Sequence, residues 1–142
     1  MSKPVRFGFL STARINRRLL AAAAKSERAE VVAVASRDAD RAEAYAVEHG
    51  IQRSHGSYEA LVEDPDVDAV YISLPNSLHV EWSVRALAAG KHVLCEKPLT
   101  RSPKDAEEAF DAAERAGRIL MEAFMCGTAR RRPSSSSSWR AG

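Results

Sequence analysis

Val5-Arg6-Phe7-Gly8-Phe9-Leu10-Ser11-Thr12-Ala13-Arg14-Ile15-Asn16 decides how the rest of the 142-residue chain is read. It begins as a short apolar strand, turns through small residues and enters a helix carrying Ile15, Leu19, Ala22 and Ala23. A strand that ends in a tight turn and a helix start forms a cradle for a pyrophosphate. The first helical amides are unpaired there, and the helix start carries partial positive charge. Gly8 lies just upstream, and Ser11-Thr12-Ala13-Arg14-Ile15-Asn16 stands where a G-x-G-x-x-G turn is expected. Ser11 and Ala13 are small enough to let a phosphate approach, yet neither tolerates positive φ as glycine does. On these residues alone, a nucleotide site and a plain strand-to-helix connection both stay open.

Outward from this stretch, strands and helices alternate. Val31-Val32-Ala33-Val34-Ala35-Ser36 is a near-continuous apolar run, as a strand buried on both faces requires. Asp38 is placed to cap a helix that reaches about His49 and stops at Gly50. A third strand near Ile51–Ser54 precedes a small helix from about Tyr58 to Glu63, which Pro65 ends. Asp68–Ser73 is a fourth strand leading into Leu74-Pro75-Asn76, followed by a helix from about Ser77 to Ala89 and Gly90. His92–Cys95 is a fifth strand with Glu96-Lys97-Pro98 at its carboxyl end. Ser102-Pro103 opens a helix that runs to Gly117, and Arg118–Ala123 is a sixth strand.

Such alternation predicts an α/β fold, a doubly wound parallel sheet of order 3-2-1-4-5-6 with helices on both faces. Ligands in that fold sit outside the carboxyl ends of the strands, beside the first. The turns at Ser11–Arg14, Ser36–Asp38, Leu74–Asn76 and Glu96–Pro98 all fall on that edge.

The composition suits one domain with a real core. No apolar run is long enough to span a membrane, and Met1-Ser2-Lys3-Pro4 starts no signal peptide. Cys95 and Cys126 make neither a disulfide framework nor a metal set, so a reducing cytoplasm is expected, with no metal. The net charge of +2 belongs to the end of the chain. Arg130, Arg131, Arg132 and Arg140 follow Met125 and no acid does, which leaves 17 basic against 19 acidic residues before it. That balance argues against a nucleic-acid surface.

Ala89-Gly90-Lys91-His92-Val93-Leu94-Cys95-Glu96-Lys97-Pro98-Leu99 resembles the A-G-K-H-V-x-x-E-K-P signature of the Gfo/Idh/MocA oxidoreductases. Pro75-Asn76-Ser77-Leu78-His79 is similar to the P-N-x-x-H segment of that family, and Gly8–Ile15 to a variant first turn found in some members. The resemblance runs from about Val5 to Met125. It implies a Rossmann domain that binds a nicotinamide dinucleotide, as the cofactor half of an enzyme moving hydride to or from a sugar, polyol or dihydrodiol CH–OH group.

On that resemblance Lys97 contacts nicotinamide and substrate and helps proton transfer; the bland alternative is a solvated surface lysine. A lysine suits the role because its pKa responds to burial and nearby charge. Pro98 fixes φ, biases Lys97 towards an extended backbone and so aims its side chain. The resemblance also suggests a cis peptide at Pro98. Glu96 balances charge within the site, or else faces solvent. Asn76 lies near the nicotinamide ribose or caps the next helix, and His79 belongs to the site or is merely packed or exposed. Leu74 and Pro75 form the adjoining wall. Cys95 is read as a small buried residue.

Cofactor choice falls to Ser36 and Arg37. NAD-binding folds usually place an acid at this strand end to bind both ribose hydroxyls. A hydroxyl and a guanidinium suit a 2′-phosphate instead, which favours NADP with NAD as the alternative. Asp38 is left to serve as that acid or only to cap its helix.

The family continues into a second domain that binds substrate, carries a catalytic histidine and often builds the oligomer. The expectation is therefore a cofactor-binding domain over residues 1–125, with little activity or oligomerisation of its own, and an exposed apolar face. Residues 126–142, with three successive arginines and five serines, read as a disordered tail, or as the product of a frameshift after codon 125. A second functional reading is a nucleotide-sensing or partner-binding module without catalysis. A nucleic-acid binder built on Arg130–Arg132 lacks the interleaved aromatics such binding uses.

Overall fold

The computed structural model describes residues 3–97 and 99–123. Six strands form one sheet, β1 (Val5–Leu10), β2 (Ala29–Ala35), β3 (Arg53–His55), β4 (Ala69–Ile72), β5 (His92–Glu96) and β6 (Leu120–Ala123). Their order is β3-β2-β1-β4-β5-β6, and every neighbouring pair is parallel. The helices are α1 (Asn16–Ala24), α2 (Ala39–His49), α3 (Tyr58–Val62), α4 (His79–Ala88) and α5 (Pro103–Ala116). This is the doubly wound α/β arrangement that the alternation predicts.

Two apolar layers hold the sheet. On one side Leu10, Ala33, Val70, Ile72 and Val93 pack with Leu61, Trp82, Leu87 and Ala112 from α3, α4 and α5. On the other, Phe9, Val34 and Tyr71 pack with Leu19, Leu20 and Ala46 from α1 and α2. Successive residues such as Phe9 and Leu10 serve opposite layers because strand side chains alternate. Gly8 on β1 leaves room for Leu61 of α3. A Cβ there would lie 2.8 Å from Cδ2 of Leu61 and 3.2 Å from its Cγ.

Capping follows the sequence closely. Asp38 caps α2, accepting from the amides of Asp40 (3.0 Å) and Arg41 (3.3 Å). Ser57 caps α3 and Ser102 caps α5, which has Pro103 in its first turn. Helices α2 and α5 end on Gly50 and Gly117 in the left-handed conformation, at φ 71° and 68°.

Several boundaries move, each for a visible reason. Strand β2 begins at Ala29, two residues before Val31, because Val5 and Arg6 pair with Ala29 and Glu30. Strand β3 begins at Arg53 because the Ile51 amide is spent on the Ala46 carbonyl (2.8 Å), closing α2. The helix expected from Ser77 opens as a 3-10 turn over Asn76–Leu78, and α4 proper starts at His79. Strand β6 starts at Leu120, since the Arg118 amide bonds Ala113 and the Ile119 amide bonds His92 Nδ1.

Polar contacts tie the amino ends of the strands. The Arg6 guanidinium forks onto Asp68 (3.1 and 3.0 Å), and the hydrogen bond holds that carboxyl below its ordinary range. Lys91 is buried with Nζ donating to the carbonyls of Asp64 (2.6 Å) and Val67 (2.7 Å). The lysine of the A-G-K-H segment thus fastens the chain entering β4 to the chain entering β5. Pro98, its expected cis peptide and the expected tail over residues 126–142 lie outside the described residues. Among the described residues no helix is long and apolar enough to cross a membrane, and no cluster of His, Cys, Asp or Glu is placed to hold a metal.

Candidate functional site

A cleft of about 770 Å³ opens at the carboxyl ends of β1, β2 and β4. One wall is the first turn, Ser11, Thr12 and Ala13; the second is Ser36, Arg37, Asp38 and Arg41; the third is Ser73, Leu74 and Pro75, with Tyr58 at the side. Parallel strands send all their carboxyl-end loops to one edge, so residues far apart in sequence meet there.

The first turn is built around Ser11, which adopts φ 134°, a conformation that favours glycine. A non-glycine residue held in such a region costs on the order of 1–3 kcal/mol, which its surroundings must offset. They do so through a closed set of hydrogen bonds. The Ala13 amide donates to Ser11 Oγ (3.1 Å), Ser11 and Ser73 share a hydroxyl contact (2.8 Å), and Ser73 Oγ donates to Asn16 Oδ1 (2.7 Å). Asn16 Nδ2 returns to the Ser11 carbonyl (2.9 Å). Because Ser73 spends its proton on Asn16, Ser11 is the donor to Ser73, and both hydroxyl protons are assigned. Serine therefore does take the positive φ that its chemistry disfavours.

Beyond Ser11 the chain winds through i+3 bonds, Asn16 to Ala13 and Arg17 to Arg14, into α1. Among the described residues none accepts from the amides of Thr12, Arg14 or Ile15. These donors stand at a helix start, as an anion site requires.

At the end of β2, Ser36 is buried and its hydroxyl accepts from the Asp38 amide (3.1 Å). The Asp38 carboxylate accepts from the cap amides of α2. Arg37 and Arg41 are exposed and both line the cleft, so this wall is cationic.

The third wall is fixed from beneath. His79 is buried, and Nε2 lies 2.7 Å from the Leu74 carbonyl. A carbonyl only accepts, so Nε2 carries the proton. Asn76 begins the 3-10 turn and makes no side-chain cap, so its capping reading does not hold.

Glu96 ends β5 and accepts a hydrogen bond from the buried Tyr71 hydroxyl on the neighbouring strand. Burial, then the Glu96 bond, pushes the Tyr71 phenol far up, so it stays a donor. Lys97 follows, exposed at the strand end. Cys95 is fully buried, and burial pushes its thiol up to about 12.

The cleft thus gathers Ser11, Thr12, Ala13, Ser36, Arg37, Leu74 and Pro75 from the residues singled out in the sequence. Gly8, Arg14, Ile15, Asn76, His79, Glu96 and Lys97 do not line it. Gly8 lies two positions deeper, against Leu61, and His79 lies under the Leu74 loop. Arg41, Tyr58 and Ser73 escape the sequence reading, which takes Asn16 only as the last position of the turn. Arg41 had a signal, since it stands in the first turn of the helix that Asp38 caps.

Comparison with known proteins agrees with this geometry. The sequence model of the Gfo/Idh/MocA oxidoreductase family, NAD-binding Rossmann fold, matches residues 5–124. A D-xylose 1-dehydrogenase (NADP(+)) of Haloferax volcanii is 51% identical over 119 residues, 84% of this chain and 37% of the relative. A 1,5-anhydro-D-fructose reductase of Ensifer adhaerens is 48% identical over 115 residues, 81% of this chain and 34% of the relative. The crystal structure of a 3-ketoreductase from Actinomadura kijaniata with NADP superposes with a TM-score of 0.81 at 48% identity, covering 87% of this chain and 39% of that one. The chain spans little more than a third of the length of these relatives.

Proposed function

We propose that this chain, which belongs to the Gfo/Idh/MocA oxidoreductase family and carries its NAD-binding Rossmann fold, binds NADP(H) in the cleft beside β1. The observation that carries the choice of phosphorylated cofactor is the pairing of Arg37 with Arg41 on one wall, beside an Asp38 carboxylate engaged by the amides of α2. Two guanidiniums suit a 2′-phosphate, whereas a free acid would suit two ribose hydroxyls. The Thr12 amide in the cleft wall supplies a donor for the pyrophosphate, with the Arg14 and Ile15 amides just beyond that wall at the start of α1, and Leu74 and Pro75 flank the dinucleotide.

When bound, the nicotinamide supplies hydride chemistry at a CH–OH carbon. Lys97 sits at the carboxyl end of β5, where it contacts nicotinamide and substrate and passes a proton at the substrate oxygen. Glu96, the residue before it, has its carboxylate held by the Tyr71 hydroxyl. Asn76 orients the nicotinamide ribose, and Pro98 aims the lysine. The substrate class is a sugar, polyol or dihydrodiol, in line with the relatives named above. The setting is the cytoplasm, with the nicotinamide dinucleotide rather than nucleic acid or membrane as partner.

Titration of the protein with NADPH and NADH tests the reading. NADPH is expected to bind at least tenfold more tightly. Arg37→Ala and Arg41→Ala each remove a charge-assisted contact of about 1.5–3 kcal/mol from NADPH alone. Equal affinity for the two cofactors overturns the choice of NADP.

A further inference from the structure

We infer that Ser73 and Asn16 are positioning residues that stand in for the missing glycine of the phosphate turn, and that they shape the turn for binding only because residue 11 is serine. The inference rests on the cofactor reading for its effect on binding, but not for its effect on the turn.

The argument starts from a conflict. A phosphate turn needs a left-handed residue at its first position, and here that residue is Ser11, at φ 134°. Nothing local holds it there except its own hydroxyl accepting from the Ala13 amide. The remaining hold runs through Ser73, 62 positions away. Ser73, one residue past β4, receives the Ser11 proton and passes its own to Asn16, which is wholly buried at the start of α1. Asn16 then fixes the Ser11 carbonyl through Nδ2. The side chain and the carbonyl of residue 11, which turn together about its N–Cα bond, are therefore both tethered, while β1 fixes the other end of that bond.

The hydroxyl chain runs in one direction, from the Ala13 amide through Ser11 and Ser73 to the Asn16 oxygen. Removing the Ser73 hydroxyl breaks two of these bonds together. Ser11 is then free to relax to negative φ, which turns the Thr12 amide away from the cleft. The fraction of molecules with a competent turn falls, and apparent affinity falls with it. Glycine at position 11 has no such preference and holds the turn without the ring.

The test is a cycle of Ser73→Ala, Ser11→Gly, the double variant and Ser73→Thr in the 142-residue protein. Each is read by NADPH titration, thermal unfolding and the amide resonance of Thr12. Ser73→Ala is expected to weaken NADPH about tenfold, since the competent population drops by that factor. Ser73→Thr keeps the hydroxyl and stays within about twofold of the parent. Ser11→Gly alone also stays within about twofold, and Ser11→Gly with Ser73→Ala recovers to within about threefold.

Recovery is the decisive sign, because a plain sum of lost hydrogen bonds makes the double variant no better than Ser73→Ala. A double variant as weak as Ser73→Ala, or a Ser73→Ala protein that binds as the parent does, overturns the inference. If Ser73→Ala does not fold, a folded double variant supports it and an unfolded one overturns it. If the parent binds no NADPH, the cofactor reading fails. The unfolding midpoints and the Thr12 resonance then still decide the ring, by the same recovery.

Discussion

The imidazole of His79 donates from Nε2 to the carbonyl of Leu74 at 2.7 Å, linking the first turn of α4 to the loop that forms one wall of the cleft. The donor and acceptor are both buried, and Leu74 directly follows Ser73 of the phosphate-turn ring. His79 therefore acts on the site from below, without lining it.

His79→Ala leaves the Leu74 carbonyl without its donor in a dry setting, a loss of about 1–3 kcal/mol. The expected result is a lower unfolding midpoint together with faster amide exchange over the turn Asn76–Leu78. NADPH affinity falls as well, because the Leu74–Pro75 wall loosens. An unchanged midpoint and exchange rate would show that the contact contributes nothing.

Gly8→Ala is expected to destabilise the domain by about 1–3 kcal/mol through overpacking, since the added Cβ meets three side-chain atoms of a Leu61 with no exposed surface to retreat into. Urea unfolding measures the cost. Repeating it in a Leu61→Ala background, where space is available, should reduce the penalty to near zero. A penalty that persists there would place the cause in the backbone rather than in the contact.

His92 gives the fold a pH dependence whose sign follows from its partner. Its Nδ1 accepts from the Ile119 amide at 3.0 Å, which requires an unprotonated nitrogen. Burial, then the Arg118 charge, holds the imidazole below its ordinary value of 6.5. A depressed folded-state pKa means that this contribution is fully present above about 6.5 and is lost as pH falls through the folded value. Solvent at this edge keeps the effect under about 1 kcal/mol. His92→Asn preserves an acceptor without titrating, so the difference between the two unfolding curves should grow from pH 8 to pH 5. Parallel curves would remove His92 as the cause.

The sheet order was legible because apolar runs such as Val31–Ala35 and Ala69–Ile72 alternate with helices closed by Gly50 and Gly117. The start of β2 was not, since Glu30 carries no apolar signal and is recruited by pairing with Arg6. The walls of the cleft were readable where a strand end coincides with a small or basic residue, as at Ser36 and Arg37. Ser11 was read as unsuited to positive φ, which is correct for an isolated serine. What changes the outcome is a bond to Ser73, and no local pattern announces a contact spanning 62 positions. Gly8 was legible as a special position, but its reason, a leucine 53 residues later, is a matter of packing.

Because all six strands run the same way, the loops sort by end. Ser11, Arg37, Arg41 and Ser73 gather at the carboxyl ends, while the Arg6–Asp68 fork and the Lys91 tie lie at the amino ends. The two sets share no side chain, and effects at well-separated sites add. A lineage carrying this sheet is thus able to explore new ligands at one rim while the other rim holds the melting point steady. Such freedom to vary is a property of the strand directions themselves, before any residue is chosen.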